Sequence, residues 1–436
     1  MAKGEKPRKV YARGKRRKLA PELEDRISLL PDEILVIILS SLSIKEAART
    51  SILSSRWREL WTLGITLDLG SLDQVRSIET RTGQNFSYWL DRIMESHKGP
   101  SIQKLRICLQ AKNIESGGDF ARWMNFATRK FVRELYLQVE TTKYSVYPSL
   151  YLGFYNFHSL KALFLDFEHV DARHVEHFLS HCPSLEKLSL AKSNVAHLKI
   201  SGPSLKLKFL EVSSCFNLTR IKISAPNLVA FKYWGPEMVL DLENAPLLAE
   251  VSFLESYCMY VVKQKFEQFS TVLPQLQKIT LTLSYPWMVE FPMLDGLANL
   301  SKLELNLRVW DYDNPFQLCT SFIKALPFLN KISLNLFWVA KLESKQPWEP
   351  EVEDHRQHCL KVVELIGFVG CLLDLEIVRY MIRNASSLKK ITLCPCRRAW
   401  MDDLQELMTI KEKQEARQCA HELEAVLSPH TKLVVL

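Results

Sequence analysis

The sequence predicts an α/β chain: a small three-helix segment, then a solenoid whose repeats build a curved parallel sheet, closed by a C-terminal unit that caps the array. Three observations predict it. The spacing L-x-x-L-x-L, with L any large aliphatic or aromatic residue, recurs twelve times in order, its leading positions being Ile102, Val132, Leu160, Leu185, Leu207, Leu228, Leu248, Leu276, Leu300, Leu329, Leu360 and Leu388. Ahead of these, residues 34–42 carry aliphatic side chains at helical rather than alternating spacing. The length of 436 residues exceeds a single globular core, while 47% hydrophobic residues is ordinary globular composition, so the chain holds two or three domains or one elongated array.

The charge is unevenly placed. Lys and Arg exceed Asp and Glu by 57 to 49, and nine basic residues against one acidic lie within the first 18, so the rest of the chain is formally neutral. A basic tail on a neutral body argues against a broad nucleic-acid-binding face. Residues 1–24 hold few apolar side chains and are expected to form a disordered basic tail. Within it Lys15, Arg16, Arg17 and Lys18 have the form of a short nuclear address, which places the protein in the nucleus, the cytoplasm or both. The longest clear apolar run, Ile34 to Leu39, is far short of the roughly 18 residues that span a bilayer. No apolar stretch of signal-peptide type follows the basic tail, and the ten scattered cysteines, without CxxC spacing, read as reduced thiols of an intracellular protein.

The helical segment is assigned to residues 25–69. Pro31, Asp32 and Glu33 suit a first helical turn, where a missing N–H costs nothing and acids meet free amide donors. Ile34, Leu35, Ile38, Leu39 and Leu42 then share one face, and Val36 and Ile37 make the flank apolar as well. A helix apolar nearly all round in so small a unit has one face too many for its own core. Ser43 and Glu46 offer a capping box for a second helix over roughly 44–53. Ser54 and Ser55 open a third, carrying Trp57, Leu60 and Trp61.

The repeats occupy residues 100–342. In each, the last three positions alternate as a strand with one buried face does, and the leading residue fills the turn before it. From Leu185 the steps shorten to 22, 21 and 20 residues, and second apolar triplets appear at Val195/Leu198/Ile200, Leu218/Ile221/Ile223 and Val239/Leu240/Leu242. Residues 184–253 are therefore expected to carry strands on both faces of the solenoid, and the longer repeats a helix on the convex one, such as Ala172 to His181. Charge with Pro347 and Pro350 marks Glu343 to His358 as an exposed connection. Residues 359–436 read as strand, helix and strand, one further repeat with a capping role, followed by a helix over 402–427 stopped by Pro429.

Three resemblances cover nearly everything beyond residue 25. The run Leu30 to Leu35, then Ile38, Leu39, Leu42 and Ser54 to Arg58, resembles an F-box in motif, order and spacing; the Ala47-Ala48 pair is weaker than the aliphatics of many members. Residues 207–218, LKFLEVSSCFNL, resemble a leucine-rich repeat, with Cys215 where such repeats bury an Asn or Cys. Leu360 to Leu388 is similar to the FBD domain that follows F-box and repeat segments in many plant proteins. The resemblance implies the substrate-recognition subunit of an SCF-type cullin-RING ubiquitin ligase: the F-box holds a Skp-type adaptor and the array holds a protein target. It implies adaptor contacts at Leu30, Pro31, Ile34, Leu35, Ile38, Leu39, Leu42 and Trp57. The alternative from another class is a non-degradative, adaptor-bound scaffold or transcriptional cofactor in the nucleus; a small-molecule receptor is a weaker third.

No phosphate-cradling loop, nucleophile elbow or HExxH pair is present, so the chain is expected to be non-catalytic and to need no cofactor. His169, His174, His177, His181 and Cys182 invite a zinc reading, but Val175, Phe178 and Leu179 already explain the helix, and the histidines read as a solvated face without metal. What remains is binding. Trp234, Trp287, Trp310, Tyr312 and Trp338 follow strands at similar offsets and form a candidate aromatic rim for the target. The competing reading is that each ring packs over its own neighbouring loop.

Overall fold

In a computed structural model of the chain, the described residues are 26–69, 86–110, 117–140, 155–202, 205–264, 266–284, 297, 299–309, 315–339, 357–399 and 402–436. The chain divides into two compact units, Met1–Gly64 and Ile65–Leu436. The nuclear-address residues Lys15, Arg16, Arg17 and Lys18 and most of the predicted connection at 343–358 lie outside the described residues.

In the first unit, helix α1 (Asp32–Leu39) starts at Pro31, whose carbonyl accepts from the Ile34 and Leu35 amides. Ser43 caps α2 (Ile44–Arg49): its hydroxyl accepts from the Glu46 amide while the Glu46 carboxylate accepts from the Ser43 amide. The second helix is shorter than the sequence suggests, because a 3-10 turn, Thr50–Ile52, replaces its last turn. Helix α3 (Trp57–Leu60) opens where the Ser54 hydroxyl accepts from the Trp57 amide, and a second 3-10 turn, Trp61–Leu63, ends the unit.

The second unit is a 14-stranded parallel sheet with helices, the arrangement of a leucine-rich-repeat solenoid. Its strands in spatial order are β1 (Thr66–Leu69), β2 (Lys104–Gln110), β3 (Glu134–Glu140), β4 (Ala162–Asp166), β5 (Lys187–Ala191), β7 (Phe209–Ser213), β9 (Ala230–Trp234), β11 (Glu250–Leu254), β12 (Lys278–Leu283), β13 (Lys302–Val309), β14 (Lys331–Trp338), β15 (Val362–Phe368), β16 (Lys390–Pro395) and β19 (Lys432–Val435). Twelve of them lie on the twelve triplets. The register repeats: Leu105, Leu135, Leu163, Leu188, Leu210, Phe231, Val251, Ile279, Leu303, Ile332, Val363 and Ile391 align across the sheet, all buried. One backbone device recurs from repeat to repeat. The Gln277 and Lys278 amides both donate to Ala249 O, those of Ser301 and Lys302 to Gln277 O, and those of Asn330 and Lys331 to Ser301 O.

Between the close-set repeats, β6 (His197–Ser201), β8 (Arg220–Ser224) and β10 (Val239–Asn244) form a second parallel sheet in the order β10-β8-β6. A step of 20 to 22 residues is spent on two strands and two turns, which leaves no length for a helix. Longer repeats do carry helices: α4 (Phe86–Ser96), α5 (Gly117–Arg129), α6 (Ala172–His181), α7 (Glu255–Lys263), α8 (Pro315–Ala325), α9 (Leu372–Asn384) and α10 (Ile410–Glu422). Helix α6 has the predicted bounds and buries Val175, Phe178 and Leu179.

The structure corrects the sequence reading at five places. Thr66–Leu69 pairs in parallel with β2, so it opens the sheet and does not belong to the helical segment assigned to 25–69. The helix expected over 402–427 begins at Ile410, because Asp402–Glu406 (β18) pairs antiparallel with Arg398–Ala399 (β17); Thr409 and Glu412 form the capping box, and of the expected stripe Ala416, Ala420 and Leu423 are buried whereas Leu407 is exposed. Cys394-Pro395-Cys396 has the wrong spacing for a redox pair and by sequence suits a turn after a strand, but Cys394 and Pro395 belong to β16 itself. Gln357, read as part of the exposed connection, is buried, with its amide N–H on Asn384 O and its side-chain amide on Ile323 O. The array does not close on β16: Lys432–Val435 adds one more parallel strand, and β14 and β15 pair across the 342/359 boundary, so residues 359–436 extend the same sheet.

Candidate functional site

Two surfaces offer binding chemistry, one in each unit. In the helical unit, α1 packs against α3 and the Trp61–Leu63 turn, and the buried apolar side chains among the described residues are Leu35, Val36, Leu39, Ala47, Trp57 and Leu60. The chain before α1 is held by Arg56. Its guanidinium donates to the Ser28 and Leu30 carbonyls and to the Asp32 carboxylate, while the Trp57 indole N–H donates 3.0 Å to the Ser28 hydroxyl. This fixes which side of α1 turns outward. Ile34, Ile37, Ile38 and Leu42 stay exposed by 42 to 53%, and Ile52 and Leu53 by 88% and 64%. Aliphatic side chains left in water at this density mark an interaction surface.

The eight sequence-predicted adaptor contacts therefore separate. Pro31, Ile34, Ile38 and Leu42 lie on the exposed side, and Leu30 is half-buried. Leu35, Leu39 and Trp57 are buried, which corrects their assignment as surface contacts. Ile37 is exposed beside them, a placement that a helix apolar all round gives no phase to read, and Ile52 and Leu53 are exposed at the end of the Thr50–Ile52 turn, which the sequence reading took as helix.

In the second unit, residues alternate with the buried ladder to line the outer face of the large sheet. On β2 to β7 this face satisfies itself. Lys104 Nζ sits 4.7 Å over the Tyr136 ring, Tyr136 stacks on Phe164 at 3.9 Å, and Lys187 Nζ lies 4.9 Å from Phe164 and 4.5 Å from Phe209. Farther along, Lys232 pairs with Glu211 at 2.9 Å, Lys278 with Glu304 at 2.9 Å and Lys331 with Glu364 at 2.7 Å. Burial pushes the Glu364 carboxyl up, but hydrogen bonds from Lys331 and Ser333 outweigh it and hold it below the usual carboxylate range. Asn335 donates to Asn306, and Asn306 to Thr282, a polar ladder crossing three strands. A groove of about 310 Å³ opens on this face, lined by Lys232, Glu250, Lys278, Thr280, Glu304 and Asn306 among others.

Two residues of the predicted aromatic rim, Trp234 and Trp338, are among the described residues. Trp234 is half-buried at the end of β9, in register with Ser213 and Leu254. Trp338 is buried and donates its indole N–H 2.6 Å to Gly367 O, so it packs inside the sheet rather than along a rim. Trp287, Trp310 and Tyr312 lie outside the described residues.

The histidines of α6 have structural tasks. His174 Nδ1 accepts from the Asp171 amide in a capping box, and His181 stacks on His177 with ring centroids 4.1 Å apart. Among the described residues no three His, Cys, Asp or Glu side chains converge on a metal-sized site. Burial pushes the Cys108 and Cys182 thiols up to about 11 and those of Cys319 and Cys371 to about 12, the opposite of what a nucleophilic thiolate needs. Among the described residues no helix is long and apolar enough to cross a membrane.

Comparison with known proteins bears on both surfaces. Residues 27–63 match the F-box domain profile, and residues 145–432 match the profile described as At1g61320/AtMIF1, LRR domain. Among Arabidopsis thaliana proteins, the F-box/LRR-repeat protein At3g26922 is 30% identical over 294 residues, covering 60% of this chain and 90% of that protein. The F-box/FBD/LRR-repeat protein At5g53840 is 26% identical over 409 residues, 85% of this chain and 88% of its own. F-box/FBD/LRR-repeat protein At5g22660 is 25% identical over 448 residues, 91% and 95% of the two chains.

Proposed function

Because this chain belongs to the F-box/leucine-rich-repeat family, which supports a substrate-recognition adaptor role, we propose that it is the target-binding subunit of an SCF-type cullin-RING ubiquitin ligase. The observation that carries the reading is the exposed aliphatic surface of Ile34, Ile37, Ile38, Leu42, Ile52 and Leu53, which falls wholly within the F-box match. In the proposed complex that surface docks on a Skp-type adaptor, and the outer face of the repeat sheet holds a protein target. The chain contributes no reacting group. It raises the concentration of target lysines near the charged conjugating enzyme, and effective molarity supplies the acceleration. Lys15 to Lys18 direct part of the protein to the nucleus in this reading, and a fluorescent fusion lacking residues 1–24 reports whether they do.

The test is reconstitution. Full-length chain, adaptor, cullin and RING subunits are combined with a partner captured under proteasome inhibition. Ubiquitylation of that partner that depends on this chain is the expected result. A partner that binds stably and is never modified overturns the ligase reading in favour of a non-degradative scaffold.

A further inference from the structure

We infer that the outer face of the last six strands, β12 to β16 and β19, binds an extended acidic segment of a protein. The inference rests on the proposed role of this face in holding a target and names the chemistry of that target. On the amino-terminal row of this face the sheet register aligns Lys278, Lys302, Lys331, Val362, Lys390 and Lys432, five lysines on six neighbouring strands. The next outward row holds Thr280, Glu304, Ser333, Glu364, Thr392 and Val434, so two carboxylates face five ammonium groups. Glu304 is used by Lys278 and Glu364 by Lys331, with Lys390 also in electrostatic reach of Glu364. Lys302, Lys390 and Lys432 are all exposed, and Lys302 and Lys432 form no ion pair among the described residues.

The same sheet shows what a satisfied lysine looks like. Lys104 and Lys187 lie over aromatic rings, and Lys208 and Lys232 sit against Glu186 and Glu211. Among the described strand residues of this sheet, the lysines with neither an ion pair nor a ring beneath them, Lys302, Lys390 and Lys432, lie toward the other end, in a chain whose charge outside its first 18 residues sums to zero. Thr280, Ser333 and Thr392 beside the row are small hydroxyl side chains, which leave room for a backbone to lie across the strands. Neighbouring strands are about 4.8 Å apart and an extended chain advances about 3.3 Å per residue, so six strands accommodate about seven residues. Like charges placed a few ångströms apart repel one another until a row of carboxylates lies between them, which makes an acidic segment the complementary occupant.

The test uses the full-length chain, alone and mixed with a Skp-type adaptor, and a fluorescein-labelled peptide of eight alternating glutamate and serine residues, read by fluorescence anisotropy. A peptide of the same length with glutamine for glutamate is the neutral comparison. Saturable binding of the acidic peptide, at least tenfold weaker for Lys302→Glu combined with Lys390→Glu and unchanged for Lys199→Glu on the smaller sheet, is expected, with circular dichroism confirming the fold of each variant. Equal binding of the two peptides, or an affinity within twofold for the double reversal, overturns the inference. So does an eight-nucleotide single strand that binds more tightly than the peptide and is lost with the same reversal, which assigns the row to nucleic acid. Adaptor capture is scored separately for the unsubstituted chain: capture of the adaptor with no binding of the acidic peptide refutes only this inference, and binding of the acidic peptide with no capture refutes only the ligase reading.

Discussion

Truncating the outer side of α1 separates binding from folding, and the exposures set the size of each effect. Ile34 and Ile38 are 43% and 42% exposed, whereas Leu35 between them is fully buried. Burying an aliphatic side chain completely is worth about 1.5 to 3 kcal/mol, so the exposed two-fifths of each isoleucine leaves about 1 kcal/mol to be gained on docking. Ile34→Ala with Ile38→Ala is therefore expected to weaken adaptor binding by about 2 kcal/mol, roughly thirtyfold. The thermal midpoint of the helical unit should fall far less than for a truncation inside its core, because about two-fifths of each side chain was already in water. Leu35→Ala behaves in the opposite way: it opens a cavity in a small core and costs about 2 to 5 kcal/mol of stability. Any loss of binding then follows the unfolded fraction. The assay is calorimetric titration of the adaptor into full-length variants, with scanning fluorimetry on the same material. An affinity within twofold of the parent for the double truncation refutes the reasoning. So does a Leu35→Ala variant that keeps its midpoint and loses its partner, since Leu35 would then be the contact.

Three further expectations concern the C-terminal part of the sheet. Asp374 is completely buried at the start of α9, where one carboxylate oxygen accepts from the Val369 amide at 2.7 Å and the Gly370 amide at 3.0 Å. Burial outweighs those donors and pushes its pKa from 3.8 up to about 7, so the folded chain keeps a proton that the unfolded chain has released. Its contribution to stability is complete below about pH 4 and is lost as pH rises to about 7, on the order of 4 kcal/mol over that window. Asp374→Asn should flatten that part of a urea-denaturation series against pH, and an unchanged slope would assign the dependence elsewhere. Gly367 has φ +89°, and a Cβ there would lie 2.1 Å from Leu336 O, so Gly367→Ala should force β14 and β15 apart and cost more than about 2 kcal/mol. A loss below 1 kcal/mol in urea would contradict that close approach. Trp338→Phe removes the donor to the Gly367 carbonyl and should cost about 1 to 3 kcal/mol in the same assay, because the carbonyl is left buried without its partner.

Much of the fold was legible in the order of residues. The leading residue of each triplet fixed the turn and the next two the buried face, so twelve strands and their common register followed from spacing that only a stacked parallel sheet explains. The shortened steps after Leu185 announced the second sheet for a reason of length alone. The strands at 66–69 and 432–435 escaped because four residues carry too little alternation to stand out beside a helical segment or after a proline. The helix predicted from 402 failed because its first residues meet a hairpin partner, Arg398–Ala399, that no local pattern signals.

For the binding surfaces the division lies elsewhere. Composition and period determined that α1 has an apolar surface beyond what its own unit can cover, and that the repeats expose alternate side chains on one face. Which surfaces those are was decided by tertiary structure. The Arg56 clasp and the Trp57 indole set the rotation of α1, so Leu35 and Leu39 went inside and Ile34, Ile37 and Ile38 outside. The close approach of Gly367 gave Trp338 a buried carbonyl partner and took it out of any rim. Lysines separated by 24 to 42 residues in the chain became neighbours only when parallel register laid the strands side by side. A sequence reports the period of each element, but the phase of an all-apolar helix and the coincidence of charges from distant repeats exist only after packing chooses one arrangement among several the same pattern allows.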